Sequence, residues 1–179
     1  MQKLLIFASK CIIIVAKWVE VGQNTTQNLS RKTLKEVAKM SFVGSYTHSL
    51  DSKKRVFIPS KFREELGEEF YITRKFAAYL SIYTAEEWEI FVDKISKLPE
   101  ADAEDIQDFF LGAAQKCTLD ASGRIILDDG LMKYAGINKN IVFVGAGKQI
   151  RIWSEEKWIE REQNRDYEEM RNKMRSYGL

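Results

Sequence analysis

Leu50-Asp51-Ser52-Lys53-Lys54-Arg55-Val56 returns 69 residues later as Leu119-Asp120-Ala121-Ser122-Gly123-Arg124-Ile125. Gly67 and Gly136 keep the same offset, and after one inserted residue Ile82-Tyr83-Thr84-Ala85-Glu86-Glu87-Trp88 matches Ile152-Trp153-Ser154-Glu155-Glu156-Lys157-Trp158. Two matched blocks in one order mark a duplicated structural unit rather than a chance motif. Whatever the unit folds into, the chain makes it twice.

Within each unit the apolar pattern predicts a strand, a short helix and a hairpin, β-α-β-β. Val56-Phe57-Ile58 and Ile125-Ile126-Leu127 are short apolar runs of strand type, and Phe62–Leu66 and Leu131–Ala135 are helical turns stopped by Gly67 and Gly136. Phe70–Arg74 pairs with Tyr79–Tyr83, and Ile141–Val144 with Gln149–Trp153 across the turn Gly145-Ala146-Gly147. Thr84-Ala85-Glu86-Glu87 is a capping box opening a helix whose buried face is Trp88, Phe91, Val92 and Ile95. A second helix, about Ala103 to Ala114, buries Ile106, Phe109, Phe110 and Ala113. From Glu155 the pattern predicts one long charged helix with a thin stripe of Tyr167, Met170, Met174 and Tyr177, either packed on a neighbouring subunit or solvated with a Glu169–Lys173 pair. The fold class is α+β.

Composition narrows the function by exclusion. Cys11 and Cys117 lie far apart without metal-ligand spacing, so neither a disulfide scaffold nor a metal site is expected. His48 is the only histidine, and nothing at nucleophile–base spacing accompanies it. Gly145-Ala146-Gly147 is too short for a nucleotide fingerprint. These absences argue against an enzyme, and no cofactor is expected. The apolar runs near the N-terminus are split by Ser9-Lys10, short of the roughly 20 residues a membrane span needs, so a cytoplasmic protein is expected. The net charge of +2 is uneven: residues 1–39 hold seven of the 28 basic residues and two of the 26 acidic ones, so from Met40 onward acids outnumber bases. Attraction to a polyanion must then come from local patches.

The Asp-x-x-x-Arg pair, set in a loop just before a strand, carries a resemblance. With it stand Gly44-x-Tyr46-x-His48-x-Leu50-Asp51, Pro59-Ser60-Lys61-Phe62-Arg63, Ala113-Ala114-x-x-Cys117 and Lys133-Tyr134-Ala135-Gly136. In combination, from Met40 to about Trp158, the chain resembles the MraZ family of transcriptional regulators and, more broadly, the SpoVT-AbrB swapped-hairpin fold. The resemblance implies a duplicated swapped-hairpin β-barrel with flanking helices, assembly of chains into rings, and double-stranded DNA as partner. It further implies autorepression at direct repeats of TGGG heading a division and cell-wall gene cluster, with a cytoplasmic, nucleoid-associated location. The organisation expected is an untranslated leader or a disordered extension over 1–39, a first repeat over 40–90, connecting helices over 91–114, a second repeat over 115–158 and a helical tail over 159–179.

Carried over residue by residue, the resemblance assigns DNA readout to Arg55, with Lys53 and Lys54 beside it and Lys61, Arg63 and Arg124 as further contacts. Asp51 and Asp120 orient the loops, since a carboxylate facing phosphate would be repelled. The chemistry fits: a guanidinium reads guanine O6 and N7 with paired hydrogen bonds, and lysines neutralise phosphates. A rival assigns each Asp–Arg pair to an internal salt bridge with no DNA role. Three departures bear on this. Lys54 stands where the family usually has glycine, a problem if the turn needs positive φ; Asp128-Asp129 replaces a usual Pro-Pro, and Met132 a usual arginine. The first repeat is therefore expected to dominate DNA contact. The rival functions are an oligomeric interaction module and an AbrB-like transition regulator; the latter usually carries one motif copy, against which the duplication argues.

The leader can also be read as DNA. Lys35-Glu36-Val37 can be encoded as a ribosome-binding sequence ahead of an ATG at Met40, which makes Met40 the expected start. Trp18-Val19-Glu20-Val21-Gly22 can be encoded with two TGGG words about ten base pairs apart, on one side of the duplex, so the operator itself is expected there.

Overall fold

A computed structural model describes residues 42–179; the readings of the leader as untranslated sequence and as operator, and Cys11, lie outside the described residues. Repeat one contributes β1 (Ser45–Ser49), β2 (Arg55–Phe57), α1 (Ser60–Leu66), β3 (Glu69–Lys75) and β4 (Tyr79–Thr84). Two helices follow, α2 (Ala85–Ser96) and α3 (Glu100–Phe110). Repeat two gives β5 (Gln115–Thr118), β6 (Arg124–Ile126), α4 (Asp129–Ala135), β7 (Asn140–Gly145) and β8 (Ile150–Ser154), and the chain continues through α5 (Glu155–Gln163) and α6 (Tyr167–Ser176).

Each unit is thus β-β-α-β-β, one strand longer than the β-α-β-β expected. The additional strands are exchanged between the repeats: β1 pairs with β7, and β5 with β3, all antiparallel. β4 and β8 join the halves through Leu80↔Ile152 and its neighbours, giving a six-stranded order β1-β7-β8-β4-β3-β5 that reads the same with the repeats interchanged. β2 and β6 pair apart as a two-stranded ladder. The swapped-hairpin, α+β arrangement therefore stands; the sheet order runs open from β1 to β5, with no ladder closing it among the described residues.

The core lies between one sheet face and this ladder. Successive side chains of a strand point to opposite faces, so Ile72, Leu80, Ile82, Phe143, Ile150 and Ile152 face inward together and meet Val56 and Ile125 from the ladder, and Phe62, Leu66, Leu131 and Ala135 from α1 and α4. The other sheet face is covered by α2 and α3, where Trp88 stacks on Tyr71 and Phe91 on Tyr83, and by α5 over β7 and β8. Cys117 sits in the core on β5, and burial pushes its thiol up to about 12.

Several local expectations are modified. Thr84 caps α2 by accepting from the Glu87 N–H at 3.3 Å, but the Glu87 carboxylate turns away to Lys148 at 2.7 Å, so only half of the capping box forms. The long C-terminal helix is two: α5 ends at Gln163 with Asn164 as its C-cap, and Asp166 restarts the chain by accepting from the N–H groups of Glu168 and Glu169. An aspartate that binds free N–H groups two and three positions on favours a new N-terminus over helix continuation. Tyr167, Met170, Met174 and Tyr177 remain exposed, and Lys173 pairs with Glu169 at 2.5 Å. The second connecting helix stops at Phe110, with Thr73 donating to the Phe110 carbonyl and Arg74 to those of Phe109 and Asp108.

Candidate nucleic-acid interface

Both Asp-x-x-x-Arg segments fold into the same loop. The Asp51 N–H donates to the Arg55 carbonyl at 2.9 Å and the Lys54 N–H to the Asp51 carbonyl at 3.0 Å; Asp120 with Arg124, and Gly123 with Asp120, repeat this at 2.9 and 2.8 Å. One carboxylate oxygen of each aspartate accepts two backbone N–H groups, those of Lys53 and Arg55 or of Ser122 and Arg124. The other takes the arginine Nε, at 2.7 Å for Asp51 and 2.8 Å for Asp120. The spacing is dictated by this geometry: an aspartate can satisfy N–H groups two and four residues on while holding the side chain that follows.

The loops interlock as a symmetric pair. Ile58 donates to the Gly123 carbonyl at 3.0 Å, and Leu127 to the Lys54 carbonyl at 3.2 Å. The fourth residue of each motif turns left-handed: Gly123 has φ +77°, and Lys54, at the equivalent position, has φ +59°. Lysine there costs about 1 kcal/mol that glycine avoids. Its ammonium reaches across to Asp129 at 2.5 Å, an exposed ion pair linking two of the three departures from the family pattern.

Hydrogen bonds to Arg55, first through its side chain and then its backbone, hold the Asp51 carboxyl down at about 2. Asp120 is likewise lowered, through the Arg124 backbone first. A depressed folded-state pKa gives stability that is full above the ordinary carboxylate value and is lost as pH falls through the folded one. The first loop should therefore stay ordered through pH 4 and loosen only towards about pH 2. Carboxyl-carbon NMR titration of Asp51 checks this; a midpoint near that of an ordinary aspartate would mean the Arg55 bonds do not persist in solution.

The ladder presents the two arginines together. Arg55 is opposite Ile126, and Phe57 opposite Arg124; with Val56 and Ile125 buried beneath, these four side chains form the outer face. Arg124 lies 5.6 Å from the Phe57 ring centroid, and Phe57 and Ile126 are exposed. Arg55 and Arg124 line one groove of about 400 Å³ with Gln115–Asp120. Asp51 occupies the Nε side of the Arg55 guanidinium, with Nη2 also 2.7 Å from its oxygen. Nη1 of that planar group has no hydrogen-bond partner among the described residues and the side chain is partly exposed, so the internal salt bridge and base readout are compatible roles.

The remaining residues singled out divide. Lys53 is exposed at the loop tip beside Arg55. Lys61 is exposed on α1, lining a different groove with Phe42 and Val43. Arg63 is half-buried, donates to the Ile58 carbonyl at 2.7 Å and packs so closely on Gly123 that a Cβ there would sit 2.3 Å from its Nη1. Arg63 thus buttresses the second motif loop from the first repeat, a role that sequence spacing gave no sign of. His48 is half-buried against Phe143 with its pKa lowered by burial and by Arg63, a packing role. Among the described residues no group of His, Cys, Asp and Glu could hold a metal ion, and no helix is long and apolar enough to cross a membrane.

A duplicated, strand-exchanged α+β unit with paired Asp-x-x-x-Arg loops on a two-stranded ladder defines a double swapped-hairpin protein. The sequence profile of the MraZ protein family, described as antitoxin-like, matches residues 41–110 and again 109–175. A protein named transcriptional regulator MraZ from Clostridium tetani is 47% identical over 141 residues, covering 77% of this chain and 99% of the relative. Proteins of the same name from Clostridium acetobutylicum and Lachnoclostridium phytofermentans are each 40% identical, over 141 and 139 residues, with 77% of this chain covered and 99% and 98% of the relative. The chain belongs to the MraZ family, and its relatives are transcriptional regulators by name.

Proposed function

We propose that the chain is a sequence-specific DNA-binding transcriptional regulator that represses its own promoter at TGGG-type direct repeats, at the head of a division and cell-wall gene cluster. It acts in the cytoplasm on the nucleoid and catalyses no reaction. The observation that carries this reading is the partly exposed Arg55 guanidinium, held by Asp51 through Nε and Nη2 on the ladder strand β2 with no partner for Nη1 among the described residues. A guanidinium so held suits the paired acceptors of guanine in the major groove, which is wide enough for a two-stranded β-ribbon. Lys53 and Lys54 supply phosphate neutralisation, Lys61 an outlying phosphate contact, and Arg63 support for the loop. Arg124 contributes less, because Ala121-Ser122-Gly123 flank it where the first loop has Ser52-Lys53-Lys54.

Assembly into a homo-oligomeric ring goes with this reading. The exposed Tyr167, Met170 and Met174 of α6, with Tyr177 at its C-cap, offer an apolar strip to a neighbour. Several loops on one assembly would raise affinity through linkage, which offsets the acidic balance of the chain beyond Met40.

The test is fluorescence anisotropy of the full chain with a duplex carrying two TGGG words about ten base pairs apart, against a scrambled duplex, across a salt series. Selective binding that falls steeply with salt is expected; equal weak binding to both duplexes would overturn the reading. Asp129 offers a second check. It neutralises Lys54 within the proposed interface, so Asp129→Asn should tighten binding to both duplexes by roughly threefold and steepen the salt dependence by up to about one counterion. Weaker binding on Asp129→Asn would mean that the ion pair orders the loop for DNA rather than competing with it.

A further inference from the structure

On the opposite sheet face from the core and ladder, a cavity of about 650 Å³ opens between the β3–β4 turn, β8, α5 and the α5–α6 linker. The DNA contact proposed above makes no use of it, although Met170 of the exposed α6 strip is among its lining residues. Trp153 lines the cavity and stacks on Tyr79, with ring centroids 4.4 Å apart. Arg151 lies 5.8 Å from the Tyr79 centroid and Arg161 lies 5.2 Å from that of Trp153. Lys157 lines the wall and donates to the Ala78 carbonyl at 3.4 Å.

The charges in this cavity do not balance. Arg165 is paired with Glu162, but among the described residues Arg151, Lys157 and Arg161 have no carboxylate in ion-pair contact. The cavity lining contains a single carboxylate, Glu160. Like charges gathered in a concavity repel one another unless an anion completes the site. Burial first, and then Arg151, lowers the pKa of the nearby Lys75 ammonium.

We propose that this cavity binds a phosphate monoester. Three cations against Glu160 leave an excess that a dianion neutralises; a phosphate monoester carries about −1.5 to −2 at neutral pH, whereas a monocarboxylate would leave a cation unmatched. Guanidinium groups bind such oxyanions through paired hydrogen bonds. The volume exceeds that of the phosphate alone, and Trp153, Met170, Ala77 and Ala78 provide apolar lining for an organic body.

The test is calorimetric titration of the full chain with phenyl phosphate, inorganic phosphate and benzoate, without DNA. Phenyl phosphate should bind saturably and quench tryptophan emission, roughly tenfold tighter than inorganic phosphate, with benzoate weakest. Arg151→Gln and Arg161→Gln should each weaken phenyl phosphate about tenfold with thermal unfolding little changed, and Glu160→Gln should tighten it several-fold. Equal binding of all three anions, or binding indifferent to these substitutions, would overturn the proposal. So would a change in sedimentation of Arg151→Gln without a change in phosphate affinity, which would assign the cavity to a second copy of the chain. Because this site lies away from the ladder, its failure would leave the DNA reading intact, and the converse.

Discussion

Arg55→Ala is expected to abolish selective DNA binding while leaving the protein folded. A paired guanidinium–guanine contact discriminates by about 1–3 kcal/mol, or about five- to more than a hundredfold for one loop. Because loops on one assembly act together, the loss across an oligomer multiplies and should bring the TGGG duplex to the level of the scrambled one. Non-selective binding should survive in part, since Lys53 and Lys54 remain. Arg124→Ala should cost less, because its surroundings lack those lysines and its guanidinium also lies over Phe57. The internal salt bridge does not argue against this outcome. If Arg55 served only Asp51, its replacement would loosen the loop and lower stability, and selectivity between duplexes would not change. Anisotropy with both duplexes, beside thermal unfolding, separates the two.

The largest effect on stability is expected at Phe143→Ala, about 3–5 kcal/mol. Phe143 is fully buried on β7, the strand that receives the exchanged β1 on one side and β8 on the other. The cavity left there would lie beneath His48 and beside Ile152, where the repeats are joined. Such a loss is a large part of a typical domain's stability and should lower the melting temperature by roughly 10 °C or more. Phe76→Ala provides the contrast. Phe76 stacks on Phe109 but is 76% exposed, so its removal should shift the midpoint only slightly. Comparable losses from the two substitutions would mean that the hairpin tip, rather than the exchanged strands, anchors the fold.

Much of the fold was legible because the duplication printed it twice. The matched motifs placed both loops, Gly67 and Gly136 ended both short helices, and the apolar alternation of β3, β4, β7 and β8 gave both hairpins. The exchange of β1 and β5 was not legible. Ser45–Ser49 and Gln115–Thr118 are sheet edges whose outward residues are polar, and their inward positions carry Tyr46, His48 and Cys117 rather than a run of β-branched residues. Pairing between sequence-distant strands leaves no local trace. The break before α6 did leave one: Asp166-Tyr167-Glu168-Glu169 has the spacing of an N-terminal cap, overlooked because the charged pattern continues through it.

At the candidate interface, the sequence pattern identified the arginines and the aspartates that hold them. The positive φ at Lys54 was foreseeable from the glycine usual at that position, and the structure bears it out at +59°. The Lys54–Asp129 pair joins residues 75 apart, and the turn of Arg63 toward Ile58 and Gly123 depends on how the repeats interlock. Neither follows from local spacing, since both arise only when the two loops fold against each other.

The central claim, that DNA lies on the outer face of the ladder, is tested most directly by amide hydrogen exchange of the full chain with and without the TGGG duplex. Residues 51–57 and 120–126 should gain protection on binding, more strongly in the first set, while α5, α6 and the Arg151 cavity do not change. Protection confined to those helices or to the hairpin tips near Phe76 and Gly147, with both motif loops unaffected, would contradict it.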